Sequence, residues 1–137
     1  QQLLFPIELS FSAGEMALLR ELFPGLRELG FDLEESGSQQ ISIQGMPHHL
    51  EKLEPRSLFE KILEDEKDHR QLSPEDQRAI IAQTMAQLAA IRSGTLLDQE
   101  EMAHLVERLM ACQEPSLGVN GEPTMQHFKQ SDLDNYF

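Results

Sequence analysis

The sequence predicts an α+β domain of two lobes, and three observations carry that prediction. Apolar–polar alternation, the mark of strands, clusters in the stretch up to Ile43. Apolar residues at helical spacing dominate from Ser57 onward. No strand–helix–strand unit repeats, so strands and helices are segregated and not interleaved. The expected order is an N-terminal β-α-β-β-α lobe, joined by one long helix to a helix-rich C-terminal lobe.

Within QQLLFPIELSF, Leu3, Phe5, Ile7, Leu9 and Phe11 alternate and read as one face of a half-buried strand from Leu3 to Phe11. Pro6 has no amide hydrogen for a ladder, so this strand belongs at a sheet edge. Ser12 caps a helix and Glu15 completes a capping box. Met16, Leu19, Leu22 and Phe23 form its apolar stripe. Pro24-Gly25 is expected to kink or end it, leaving Leu26 and Leu29 in a further short turn before Gly30. Phe31–Ser36 and Gln40–Gln44 alternate on either side of Ser36-Gly37-Ser38 and read as a hairpin in the same sheet. Pro47-His48-His49 reads as a loop. Ser57 and Glu60 read as a second capping box, ahead of the stripe Leu58, Phe59, Ile62 and Leu63. Glu64 to Arg70 is almost wholly charged and reads as a helix tail or solvated connection.

The best-specified stretch runs from Ser73 to Gly94. Ser73 caps it, Pro74 suits the first helical position, and Glu75 and Asp76 complement the helix dipole. Ile80, Ile81, Met85, Leu88 and Ile91 recur at helical spacing, and alanines fill much of the rest. A helix apolar on several sides must be covered on several sides, so this one is expected to be the spine between the lobes, with Leu88 in its core and Gly94 as its stop. Leu88→Asp is then expected to cost several kcal/mol by burying an unpaired carboxylate. Beyond it, Asp98 and Glu101 make a third capping pair, and Met102, Leu105, Val106 and Leu109 face a core. Pro115 ends that helical region, Gly118 to Pro123 is a turn-rich loop, Met125 to Phe128 a short strand, and Ser131 to Phe137 a last helical turn burying Leu133 and Phe137.

Bulk properties narrow the function. Eleven basic residues stand against twenty-four acidic ones, a net charge of −13. Phosphate neutralisation supplies most nucleic-acid affinity, so this surface is not built to hold nucleic acid unaided. The single cysteine, Cys112, excludes an internal disulfide and fits a reducing compartment. No apolar run is long enough to cross a membrane. A start at Gln1 that opens straight into a strand reads as a piece of a larger protein.

Candidate chemistry is sparse. His48 and His49 with Glu51 and Glu54 offer ligand types, but adjacent histidines on one loop seldom converge on one ion. Glu101 and His104 form a lone E-x-x-H, a motif that carboxylate-bridged metal sites need twice. Cys112 has no electropositive neighbour in sequence to activate it. From the residues alone, the chain reads as an acidic, non-catalytic interaction domain.

Several short motifs, in order along nearly the whole chain, carry a resemblance. Gln1-Gln2-Leu3-Leu4-Phe5-Pro6 is similar to a Q-x-x-[LI]-x-P segment, and Leu29-Gly30-Phe31 with Leu33-Glu34 to an L-x-x-x-G-[FVI] helix-to-strand step. Ala90-Ile91-Arg92-Ser93-Gly94 resembles A-I-[KR]-x-G, and Glu100 and Glu101 through Leu109 resemble L-x-x-E-[EM]-x-x-L-[LV]-x-x-L. Glu114-Pro115 and Gly121-Glu122-Pro123-Thr124 fall where a [DNE]-P…C-P-H-G-R-P-T run is expected, and Leu133 and Phe137 resemble a terminal helix. Together they resemble the C-terminal domain of the DNA mismatch repair family MutL.

The resemblance implies a regulatory lobe over residues 1–77 and, over 78–137, the C-terminal part of a dimerisation lobe. It implies a homodimer, with Gln1, Leu4 and Pro6 contacting the replication sliding clamp, although a leading strand with a proline needs no clamp to explain it. ATP binding is implied for a separate N-terminal domain, and contact with the mismatch-recognition protein MutS and with DNA for the full-length protein. It also implies a bacterial cytoplasmic, nucleoid-associated location. Nuclease-competent members carry soft or imidazole ligands where this chain has Gln87, Gly118 and Asn120, and an Arg where it has Glu122. Their D-Q-H-A-x-x-E-R ligand helix falls before the Gln1 position. The expectation is therefore no metal, no cofactor and no enzyme activity in this chain. The alternative is a metal-dependent nicking endonuclease domain whose remaining ligands lie upstream.

Overall fold

The computed structural model describes residues 2–68 and 72–136. The expectations placed on Gln1, Arg70 and Phe137 lie outside the described residues. The class is α+β, and the elements run β1 (Gln2–Ser10), α1 (Ala13–Glu28), β2 (Asp32–Gly37), β3 (Gln40–Gly45), a 3-10 turn (His48–Leu50), α2 (Pro55–Lys67), α3 (Pro74–Ala89), α4 (Gln99–Met110) and α5 (Gln130–Asp134). The chain divides into two compact units, one extending through Ala90 and one beginning at Ile91.

In the first unit the β2–β3 hairpin places β3 centrally, and β1 pairs with its other side, so the order is β1-β3-β2 with both pairings antiparallel. β1 is thus an edge strand, as Pro6 requires. The inward-facing Leu9, Leu33, Ile41 and Ile43 pack with Met16, Leu19, Leu22 and Leu26 of α1 and with Leu58, Phe59, Ile62 and Leu63 of α2. At the centre, the Phe59 ring meets Phe31 at 5.6 Å edge-on and Phe11 at 6.3 Å.

Several local expectations change for identifiable reasons. Pro24 neither ends nor replaces the helix: α1 continues to Glu28, because Leu22, Phe23 and Leu26 are all buried on one continuous face. Gly25 faces α3, where a Cβ would make an ordinary van der Waals contact with Ile81 Cδ1 at 3.6 Å. α1 then closes in a Schellman motif: Gly30, at φ +100, donates to Arg27 O and Phe31 donates to Leu26 O. The capping residue of α2 is Glu54, not Ser57. Pro55 takes the first helical position, so the helix starts earlier and Ser57 lies inside it. The Ser57 hydroxyl and amide, each 2.6 Å from the carboxylate, together with the Arg56 amide, hold the Glu54 carboxyl below the ordinary carboxylate range. The charged run after Leu63 is helical through Lys67. Glu66 is buried in it, and Asp65 accepts a 2.6 Å hydrogen bond from Thr84 of α3.

α3 begins as expected, with the Ser73 hydroxyl accepting from the Asp76 amide and Pro74 at the start. It ends at Ala89, before Gly94, which sits in a later turn at φ +83. Its buried residues are Ile81, Thr84 and Met85, the face that packs on α1 and α2. Leu88 is not core: it is 38% exposed, and Ile91 is 50% exposed. The cost expected of Leu88→Asp therefore does not apply to the single chain.

In the second unit the Asp98–Glu101 capping box forms as expected, with both reciprocal bonds within 2.9 Å. Residues 116–124 fold back on themselves through Gly118 N–H to Glu122 O and Thr124 N–H to Ser116 O. The strand expected at Met125–Phe128 is absent: no ladder partner reaches it among the described residues, and the bridge that does form joins Leu117 to Pro123. Leu133 is exposed on α5.

Candidate functional site

Two surfaces stand out, one in each unit. The first is the start of β1. Gln2 pairs with Gly45 and Ile7 with Ile43, so β1 runs from residue 2 to residue 7 while β3 runs only from 45 to 43. The surplus residues form a bulge. Past it the ladder is regular, Glu8 to Ser42, Leu9 to Ile41 and Ser10 to Gln40. Leu3 and Ile7 flank the bulge and lean on the core, whereas Leu4 is 96% exposed and Phe5 82% exposed. Phe5 was expected inside with Leu3 and Ile7, and the bulge turns it out. A proline within an alternating run marks bulges as well as edges, and that was the signal in the sequence.

Of the residues assigned to clamp contact, Leu4 and Pro6 are both exposed on this bulge, and Gln1 lies outside the described residues. Behind them the outer sheet face is polar. Ser36 Oγ donates to Glu8 at 2.5 Å, Gln44 donates to Glu34, and the two pairs lie over the nearly buried Ser42.

The second surface is the uncovered face of α4. Met102, Leu105, Val106 and Met110 follow the i, i+3, i+4, i+8 pattern that ordinarily faces a core. Here they are between 44% and 58% exposed. The core expected around them is not supplied within this unit, where none of the described residues is buried. The helix is well capped and strongly amphipathic, so its stripe is made to be covered although its own unit leaves it bare.

The positions compared with metal ligands in the sequence fall in different units. Gln87 is exposed on α3 in the first unit. Gly118 and Asn120 share the turn of the second, where Gly118 N–H is committed to Glu122 O and its carbonyl accepts from Gly121. Glu122 is exposed beside them. His48 Nδ1 lies 3.2 Å from Glu51 Oε1, and the Glu54 carboxylate is occupied in capping α2. Glu101 is likewise committed to the α4 cap, and Cys112 is exposed, its thiol donating to Arg108 O. Among the described residues no three His, Cys, Asp or Glu side chains converge to hold an ion. Among them, too, no helix is long and apolar enough to cross a membrane.

Comparison with known families bears on both surfaces. Residues 1–97 match the family model of the MutL C terminal dimerisation domain. The chain belongs to that family. Similarity to MutL proteins continues to its last residue. It is 35% identical to the DNA mismatch repair protein MutL of Flavobacterium johnsoniae over 137 residues, all of this chain and 21% of that protein. With the corresponding protein of Bacteroides fragilis, identity is 33% over all of this chain and 22% of the relative, and with that of Clostridium botulinum 28% over all of it and 20% of the relative. The chain thus spans about a fifth of the length of the curated relatives it matches. The family match covers β1 to the end of α3 and stops just before α4.

Proposed function

We propose that this chain acts in mismatch repair as the dimerisation and regulatory module of a MutL-type protein, and that a second copy of the chain covers α4. Residues 1–77 form the regulatory lobe and 78–137 contribute to the dimerisation lobe, with α3 running across that division. The observation that carries the reading is the uncovered stripe Met102, Leu105, Val106 and Met110 in a unit with no buried residue among those described. Core-like apolar surface of this kind is typical of obligate two-fold interfaces. Sedimentation equilibrium across micromolar concentrations is expected to return twice the chain mass. A single-chain mass at every concentration up to tens of micromolar overturns the reading.

In the full-length protein this module couples a separate ATPase domain, MutS and DNA, in the cytoplasm. Its own coupling to replication runs through the sliding clamp by Gln1, Leu4 and Pro6. What supports the clamp reading is the exposure of Leu4 on an edge-strand bulge, in a chain of net charge −13 that is ill suited to hold DNA directly.

The module is not the nuclease. An amide at Gln87, no side chain at Gly118 and an amide at Asn120 are poor substitutes for thiolate or imidazole. Calorimetry with zinc or manganese is expected to show no stoichiometric site below micromolar, and the chain is expected not to nick plasmid DNA. A tight site involving residues 118–123 overturns this.

A further inference from the structure

We propose that the outer face of the sheet holds a hard divalent cation, magnesium or calcium, between the carboxylates of Glu8 and Glu34 and over the hydroxyl of Ser42. These residues are none of the positions compared with nuclease ligands, and the site does not depend on the dimer or clamp readings.

Ser42 lies on the central strand, directly across from Glu8 of β1 on one side and Glu34 of β2 on the other. Residues that oppose each other in an antiparallel pair share a face of the sheet. The inner face is taken by Leu9, Leu33, Ile41 and Ile43, so Glu8, Ser42 and Glu34 all point outward. A serine on an open sheet face is ordinarily wet, yet Ser42 is 4% exposed. The Glu8 side chain reaches across β3, and its carboxylate accepts from Ser36 Oγ of β2 at 2.5 Å. From the other side, Glu34 accepts from the Gln44 amide of β3. Both carboxylates are thereby drawn toward the central strand, above Ser42.

Among the described residues neither carboxylate takes part in an ion pair; the nearest sheet pair, Arg20 with Glu35, joins β2 to α1 on the other face. The Ser42 hydroxyl makes no hydrogen bond among them either. A buried hydroxyl in that state asks for a partner, and a bound ion or water is the usual one. Two negative charges beside it select a cation. Every donor atom is oxygen, which favours a hard ion over zinc or copper. Magnesium in particular is commonly held by one or two carboxylates, with water completing its shell. No third carboxylate converges here among the described residues, so the site is weak, with a Kd of about 0.1–1 mM. That is compatible with the absence of any zinc or manganese site below micromolar. Since Glu8 and Glu34 sit on the two edge strands, the ion joins β1 to β2 over β3 and stabilises the sheet by mass action.

The test is a chemical-shift titration of the whole labelled chain with magnesium chloride, and separately with calcium chloride, against sodium chloride at matched ionic strength. Saturable shifts are expected at Glu8, Glu34, Ser36 and Ser42 with a midpoint of about 0.1–1 mM for the preferred ion, and none with sodium. Glu8→Gln combined with Glu34→Gln keeps an oxygen to accept from Ser36 and Gln44 but removes both charges, and is expected to abolish saturation. Ser42→Ala is expected to raise the midpoint about threefold or more, by loss of one ligand oxygen. Melting without divalent ion checks that each variant is folded, and the divalent ion should raise the melting temperature of the parent but not of the double variant. Shifts that never saturate, or that sodium reproduces, mean diffuse counterions on an acidic surface and overturn the proposal. So does saturation confined to another part of the chain. If Ser42→Ala binds as the parent does, the buried hydroxyl is no ligand and the site as proposed is overturned.

Discussion

Phe59→Ala is expected to destabilise the first unit by about 3–5 kcal/mol, the usual range for removing a fully buried ring. Phe59 is completely buried, and its ring touches Phe31 and Phe11, one on each side of the sheet's connections to α1. The loss is therefore threefold: the transfer energy of the ring, the two aromatic contacts, and a cavity whose walls cannot collapse. The same buried cluster includes Met16, Leu19, Ile41 and Ile43, each fixed by its own strand or helix. At roughly 4–8 °C per kcal/mol for a unit of this size, the melting temperature should fall by ~15 °C or more. Urea denaturation should show a lower midpoint with an unchanged slope. A shift of less than about 1 kcal/mol would mean that the ring is not the centre of the core.

Leu105→Glu combined with Val106→Glu is expected to convert the protein from dimer to monomer. Both residues lie in the exposed stripe of α4. Burying a side chain of this kind is worth about 1.5–3 kcal/mol, and a buried unpaired carboxylate adds a desolvation cost. In a two-fold interface every substitution counts twice, once from each copy. Even a net loss of about 4 kcal/mol raises Kd roughly a thousandfold. Sedimentation should therefore show monomer at concentrations where the parent is dimeric. The first unit, which has its own core, should melt almost as before. If the variant remains a dimer, the interface lies elsewhere, for example on the bare apolar residues Val119, Met125 and Phe128.

These predictions separate what was legible in the sequence from what was not. Patterns confined to one element were legible, because their period and their capping chemistry are local. The β-α-β-β-α order, the Ser12–Glu15, Ser73 and Asp98–Glu101 caps, the hairpin around Gly37 and the stripe of α2 all follow from neighbouring residues. The edge position of β1 was legible too, because Pro6 lacks a donor. The candidate metal positions were readable as side-chain chemistry, since an amide at Gln87 is an amide in any fold.

What escaped was whatever depended on a partner element. Pro24 fails to break α1 because the buried face continues to Leu26. Ser57 loses the capping role to Glu54 because Pro55 moves the helix start. Phe5 leaves the core because β1 and β3 differ in length between their paired positions, a mismatch that neither strand shows by itself. Leu88 and the α4 stripe have the periodicity of core residues and the exposure of surface ones. The amino-acid pattern determined that these faces are apolar and must be covered. Only the tertiary structure decided that their own unit does not cover them, because hydrophobicity fixes the need for a neighbour and packing decides which neighbour is there.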